Sequence, residues 1–134
     1  MNLSSYLEQH KSIRDEINWI QSNLTTVKVE EHAEEIALHI NQLSGKLKIH
    51  LMNEDKFLYP SLIANPDMAI KQMAIDYQNE MGDLQERFKS FKDKYNVKSK
   101  LLEKKESFVE EAKVVICAIE DRILKEEKEI YLFI

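Results

Sequence analysis

Apolar residues recur at steps of three and four along most of the chain, the spacing that places side chains on one face of an α-helix. Four segments carry this pattern, at residues 3–23, 29–59, 67–95 and 98–132. The stretches between them hold residues that form helices poorly or end them, among which are Thr25, Thr26, Pro60 and Pro66. The pattern therefore predicts four helices joined by short loops.

Four amphipathic helices with short connections predict an all-α fold, an up-down-up-down antiparallel four-helix bundle. The composition agrees, because 2 Gly and 2 Pro among 134 residues leave few of the turn residues that sheets and hairpins need. A chain of this length is enough for one core but not comfortably for two. We therefore expect residues 1–134 to form a single domain.

Charge and cysteine content narrow the range of functions. The formal net charge of −5 argues against a non-specific role on nucleic acid or on an anionic membrane, which would need a basic surface. No early apolar run resembles a signal peptide, and no segment is long and apolar enough to span a bilayer. Cys117 is the single cysteine, which excludes an intramolecular disulfide and fits a reducing compartment. We expect a soluble, cytoplasmic protein without a nucleic-acid or membrane partner.

Polar residues with metal-binding chemistry interrupt two of the apolar faces. His50 and Glu54 are four residues apart, so a helix presents an imidazole and a carboxylate side by side. His10 is the one polar position on the apolar face of the first predicted helix. These three side chains are the first candidates for a metal site.

The segment around His50 has a degenerate copy near the C-terminus. A shift of 72 residues superposes the two segments, and a shift of 71 residues superposes the first predicted helix on the third. The matched positions are His50 with Arg122, Glu54 with Glu126, Tyr59 with Tyr131, Tyr6 with Tyr77 and His10 with Met81. Two such similar offsets predict a bundle built from an internal pseudo-two-fold repeat, in which each half points polar groups at the centre.

A histidine on the first helix, His-x-x-x-Glu before Leu-Tyr-Pro on the second, and a second copy of this unit resemble the hemerythrin-like (HHE cation-binding) family. The resemblance implies a bundle that holds two iron ions, bridged by one carboxylate from helix two and one from helix four. It assigns His10, His50 and Glu54 to ligand positions and Glu126 to the second bridging carboxylate. Glu127 would take that place in the five-residue spacing of some members, but the repeat favours Glu126.

The chain departs from the family in the second half of the site. Tyr77, Met81 and Arg122 stand where the resemblance would place histidines. The second metal would therefore lose its nitrogen ligands, and the guanidinium of Arg122 would fill its place. We expect one non-haem metal ion; iron fits the family best, while zinc or manganese suits the same ligand types.

Two other arrangements of the centre stay open from the residues alone. In a metal-free bundle, Arg122 would bridge Glu54 and Glu126, and the protein would act as an interaction or regulatory module. A haem held by Met81 and a histidine is a third arrangement, although the chain has no Cys-x-x-Cys-His segment. A metal with an open position would instead bind or sense a small ligand such as oxygen or nitric oxide. The sequence predicts no catalytic residues.

Overall fold

The computed structural model describes residues 2–134. Six α-helices make up most of this described range: α1 (Leu3–Gln21), α2 (Thr26–Asn53), α3 (Tyr59–Ile63), α4 (Met68–Tyr95), α5 (Lys98–Glu103) and α6 (Lys105–Lys128). A π-helical turn, Glu54–Leu58, joins α2 to α3, and a 3-10 turn, Ile130–Phe133, follows α6. No strand occurs among the described residues, so the predicted all-α fold is confirmed.

The long helices α1, α2, α4 and α6 form the bundle. Each packs on the next one along the chain, and α6 returns to pack on α1. Because the connections between the successive long elements are short, neighbouring helices run in opposite directions. This arrangement faces α1 and α2 towards α6, which is the geometry that a shared central site needs.

A polar layer lies between two apolar clusters of the core. The larger cluster includes Ile13, Leu47 and Ile119, and the smaller one includes Tyr6, Leu58 and Ile130. Between these positions along their helices lie five buried polar side chains: His10, His50, Glu54, Arg122 and Glu126. Burying polar and charged groups costs free energy unless they find partners, so this layer is the part of the core that requires explanation.

The second helical segment continues beyond Pro60, where the sequence pattern predicts its end. Proline has no N–H to give to the carbonyl four residues before it, which normally breaks a helix. Here the preceding turn is π-helical, and the N–H of Tyr59 donates to the carbonyl of Glu54, five residues earlier. The wider turn lets the chain remain helical to Ile63. Glu54, a candidate ligand, is the first residue of this turn.

The last predicted helix, at 98–132, is divided in the structure. Lys104 has φ −131° and ψ 51°, which is not helical, and it separates α5 from α6. The short α5 packs on α2 and buries Leu101 completely. At the other end, α6 stops at Lys128 and the chain tightens into the 3-10 turn. That turn determines where Tyr131 points.

The N-terminus of α2 provides a test of local stability. The side-chain oxygen of Thr25 accepts a hydrogen bond from the N–H of Lys28 at 3.2 Å. We expect Thr25→Ala to lower the free energy of unfolding by about 1 kcal/mol, since it leaves an N-terminal N–H of the helix without its cap. Thr26→Ala, one residue inside the helix, is the matched control. Urea unfolding of both variants measures the difference, and equal stabilities would contradict a capping role.

Candidate metal centre

Three buried ligand atoms converge at the centre of the polar layer. Nε2 of His10 lies 3.1 Å from Nε2 of His50 and 3.1 Å from Oε1 of Glu126. Nε2 of His50 lies 3.3 Å from the same oxygen. The ligand atoms of these three residues all fall within 4.8 Å of one another. One cation of ordinary size could contact all of them.

Hydrogen bonds on the far side of each ring fix its tautomer. Nδ1 of His10 is 2.7 Å from a carboxylate oxygen of Glu127, and Nδ1 of His50 is 2.7 Å from the amide oxygen of Gln9. Both partners accept, so both Nδ1 atoms donate a proton. In the neutral rings each Nε2 then carries a lone pair that points at the other and at Glu126. A single proton placed among these three atoms can form a hydrogen bond between only two of them, whereas a metal ion can contact all three.

Glu54 and Tyr131 complete the cluster. Oε1 of Glu54 lies 3.3 Å from Nε2 of His50, and the hydroxyl of Tyr131 donates to Oε2 of Glu54 at 3.1 Å. The same hydroxyl oxygen is 3.0 Å from Nε2 of His10. Oε1 of Glu54 and Oε2 of Glu126 are buried without a hydrogen-bond partner among the described residues. The cluster thus places two unpartnered carboxylate oxygens beside two imidazoles, which is the donor chemistry of a cation site.

The pKa values of the two carboxyl groups in the cluster, Glu54 and Glu126, are shifted in opposite directions. Burial, followed by the charge of Glu126, raises the pKa of Glu54 well above its usual range. Burial also opposes the charge on Glu126, but hydrogen bonds from His10 and His50, made when their Nε2 atoms carry protons, outweigh burial and hold the pKa of Glu126 well below its usual range. Glu126 is therefore the carboxylate that carries a full negative charge beside the two imidazoles.

Burial, followed by the charges of Glu126 and Glu54, raises the pKa of Tyr131 above its ordinary value. In the protein without metal Tyr131 consequently remains a neutral phenol. It can donate its one proton to Glu54 or to a histidine, but not to both.

Arg122 occupies the other side of Glu126. Its Nη2 atom donates to the hydroxyl of Tyr59 and to the backbone carbonyl of Tyr77, both at 2.8 Å. Its Nε atom lies 3.5 Å from Oε2 of Glu126, and the guanidinium sits 4.5 Å from the centre of the Tyr77 ring. Arg122 forms no ion pair with Glu54 in the part of the chain that the structure describes. The expected bridge between Glu54 and Glu126 is therefore only half formed.

Besides Arg122, two more positions, Tyr77 and Met81, differ from the expected histidines, and they lie in different surroundings. Tyr77 packs under Arg122, and its hydroxyl donates to the carboxylate of Glu129. Met81 lines an apolar groove between α2 and α4. Glu127, the alternative to Glu126, faces the outer side of the His10 ring and also pairs with Arg14 at 2.8 Å.

Sequence patterns gave no role to Gln9 or Tyr131, although both contact the cluster. Tyr131 carried one signal, because the repeat matches it with Tyr59. The structure gives the pair related positions: Tyr59 bonds Arg122, and Tyr131 reaches the histidine that the repeat matches with Arg122. Gln9 had no signal, since a glutamine one residue before a candidate ligand is unremarkable in a helix.

A helical bundle with a buried cluster of two imidazoles and carboxylates defines a metal-binding class of all-α proteins. The chain matches the family model described as hemerythrin HHE cation binding domain over residues 2–134, and it belongs to that family. Comparison with curated proteins and with solved structures gave no match. No helix within residues 2–134 combines the length and apolar character needed to cross a membrane.

Proposed function

We propose that this protein binds one divalent metal ion, iron by preference, through His10, His50 and Glu126, with Glu54 as a further ligand. The observation that carries the proposal is the convergence of two histidine Nε2 atoms and one carboxylate oxygen at 3.1–3.3 Å from one another. Glu127 and Gln9 hold the rings in the tautomer that binding requires, as second-layer partners of metal sites commonly do.

One ion, not the two that the family resemblance implies, fits the charges of the layer. Arg122 is 7% exposed and supplies a permanent positive charge on the side of Glu126 away from the histidines. A second cation there would meet this guanidinium at close range, in surroundings that screen charge poorly. The histidines that would serve it are replaced by Tyr77, Met81 and Arg122.

Two histidines and one carboxylate on one side of a metal are the ligand set of many non-haem iron(II) sites, which keep open positions. Iron held in this way would supply affinity for a small ligand, and we propose oxygen or nitric oxide as the ligand that the protein binds or senses. The apolar clusters on both sides of the layer keep bulk water away, and Tyr131 offers a hydroxyl beside the histidines.

A metal-free bundle that serves as an interaction or regulatory module is the second candidate. The specific observation in its favour is the set of direct hydrogen bonds that Arg122 makes to Tyr59 and Tyr77, which holds the layer together without metal. Two buried carboxylate oxygens weigh against it, since Oε1 of Glu54 and Oε2 of Glu126 have no hydrogen-bond partner among the described residues.

Metal content tests the proposal. Protein prepared without a histidine tag and exposed to iron(II) under anaerobic conditions should bind about one equivalent, and His50→Gln should bind far less because it loses a direct ligand. His32→Gln, which changes a half-exposed histidine outside the layer, should bind as the wild type does. Two equivalents in the wild type would contradict the role given to Arg122. None, with zinc or manganese also failing to bind, would favour the metal-free candidate.

A further inference from the structure

An apolar groove lies between α2 and α4. Its cavity has a volume of about 370 Å³. Its floor consists of five buried apolar side chains: Leu47, Leu51, Met81, Phe88 and Ile119. Small-molecule sites usually enclose about 300–1,000 Å³ and are lined mainly by apolar groups, so the groove has the size and lining of a site. None of His10, His50, Glu54 and Glu126 lines it.

The polar rim of the groove is positively charged. The charged residues that line it are Lys48, Lys89 and Lys92, and no carboxylate is among the lining residues. This is notable in a chain with 24 acidic and 19 basic residues, in which an arbitrary opening would more often meet a carboxylate. Lys89 pairs with Asp93 at 3.2 Å, whereas Lys48 and Lys92 pair with no residue that the structure describes. Two ammonium groups therefore remain available beside an apolar floor.

We propose that the groove binds a free aliphatic carboxylate, a molecule with an unbranched apolar chain and one anionic head group. The chain would lie against Leu51, Met81 and Phe88, because moving methylene groups out of water onto an apolar surface is favourable. The carboxylate would lie at the rim between Lys48 and Lys92. This site is separate from the metal centre and does not depend on the proposed function.

Decanoate, below the concentration at which it forms micelles, is the probe. Methionine methyl groups labelled with ¹³C report its position by nuclear magnetic resonance, since Met81 lies on the floor whereas Met68 is 71% exposed elsewhere. Met81→Leu assigns the signal while conserving volume. We expect a saturable one-to-one shift of the Met81 signal and none at Met68. A shift that rises linearly without saturation, or that affects both signals alike, would overturn the proposal.

Charge variants and neutral or cationic chains test the role of the rim. Lys48→Glu combined with Lys92→Glu should weaken decanoate binding about tenfold or more, as expected for losing and reversing two exposed ion pairs. Lys113→Glu, an exposed lysine on α6, changes the net charge without touching the groove and should leave the affinity unchanged. Decanol and decyltrimethylammonium should bind more weakly than decanoate. Equal binding of all three probes, or an unaltered affinity in the double variant, would contradict the proposed head-group site.

The titration is repeated with chelator and with added iron(II). We expect the same affinity in both conditions, because the groove shares no side chain with the cluster. A protein that binds no metal but still binds decanoate would therefore contradict the proposed function and leave the carboxylate site intact. Binding of anionic vesicles without binding of free decanoate would refute the carboxylate site and point to a membrane surface.

Discussion

Glu126→Gln should remove metal binding almost completely, while Glu127→Gln in the next position should only weaken it. Oε1 of Glu126 lies 3.1 and 3.3 Å from the two Nε2 atoms, so glutamine would replace a charged ligand with a neutral amide. Glu127 contacts only the outer nitrogen of His10. Loss of such a second-layer partner typically lowers metal affinity about 10- to 100-fold, and loss of the direct carboxylate should cost more than that.

Titration of both variants with iron(II) or zinc against a competing chromogenic chelator ranks the two affinities. The substitutions are isosteric and adjacent on α6, so each is the matched control for the other. Circular dichroism checks that both variants retain their helices. If Glu127→Gln were the more damaging change, the ligand would be the carboxylate of the five-residue spacing. Equal and small effects would count against a metal site altogether.

Much of this cluster could be predicted from the sequence because the spacing of residues along a helix is regular. His50 and Glu54 share a face through their four-residue separation, and the repeat extends the same logic to Glu126. The choice between Glu126 and Glu127 could not be made from spacing alone, since both residues in fact contact His10, one at each ring nitrogen. Only the packing of α6 against α1 decides which carboxylate faces inwards.

Tyr131 shows where helical spacing stops being informative. In a continuous helix each residue turns by about 100°, which would place Tyr131 about 140° around the axis from Glu126 and off the face of the site. The chain leaves the α-helix at Lys128 and tightens into a 3-10 turn, which brings the Tyr131 hydroxyl to 3.0 Å from His10. Likewise, a proline normally predicts a helix end, but the π-helical turn before Pro60 absorbs the missing hydrogen bond. The 3-10 turn and the π-helical turn both depend on tertiary packing and on a local change of hydrogen-bond partners, which sequence periodicity does not encode.

Arg122→Ala should destabilise the metal-free protein by about 3–5 kcal/mol, the loss expected when one partner of a buried ion pair is removed. The guanidinium donates hydrogen bonds to the Tyr59 hydroxyl and to the Tyr77 carbonyl. Its positive charge also balances the negative charge of Glu126, which is only 1% exposed. Without Arg122 the Tyr59 hydroxyl loses its partner and Glu126 keeps its charge in surroundings that solvate it poorly. Urea unfolding in the presence of a chelator measures this change in the free energy of unfolding.

Lys125→Ala provides the matched control for that experiment. Lys125, like Arg122, pairs with Glu80 and lies over the Tyr77 ring, but 42% of its side chain is exposed. Its loss should change the free energy of unfolding by no more than about 1 kcal/mol, since exposed ion pairs contribute little. The contrast isolates burial and the proximity to Glu126 as the source of the Arg122 effect. A loss below about 1 kcal/mol for Arg122→Ala as well would mean that the layer does not need this charge. Arg122 would then not act as a replacement for the second metal ion, even if the first metal ion binds.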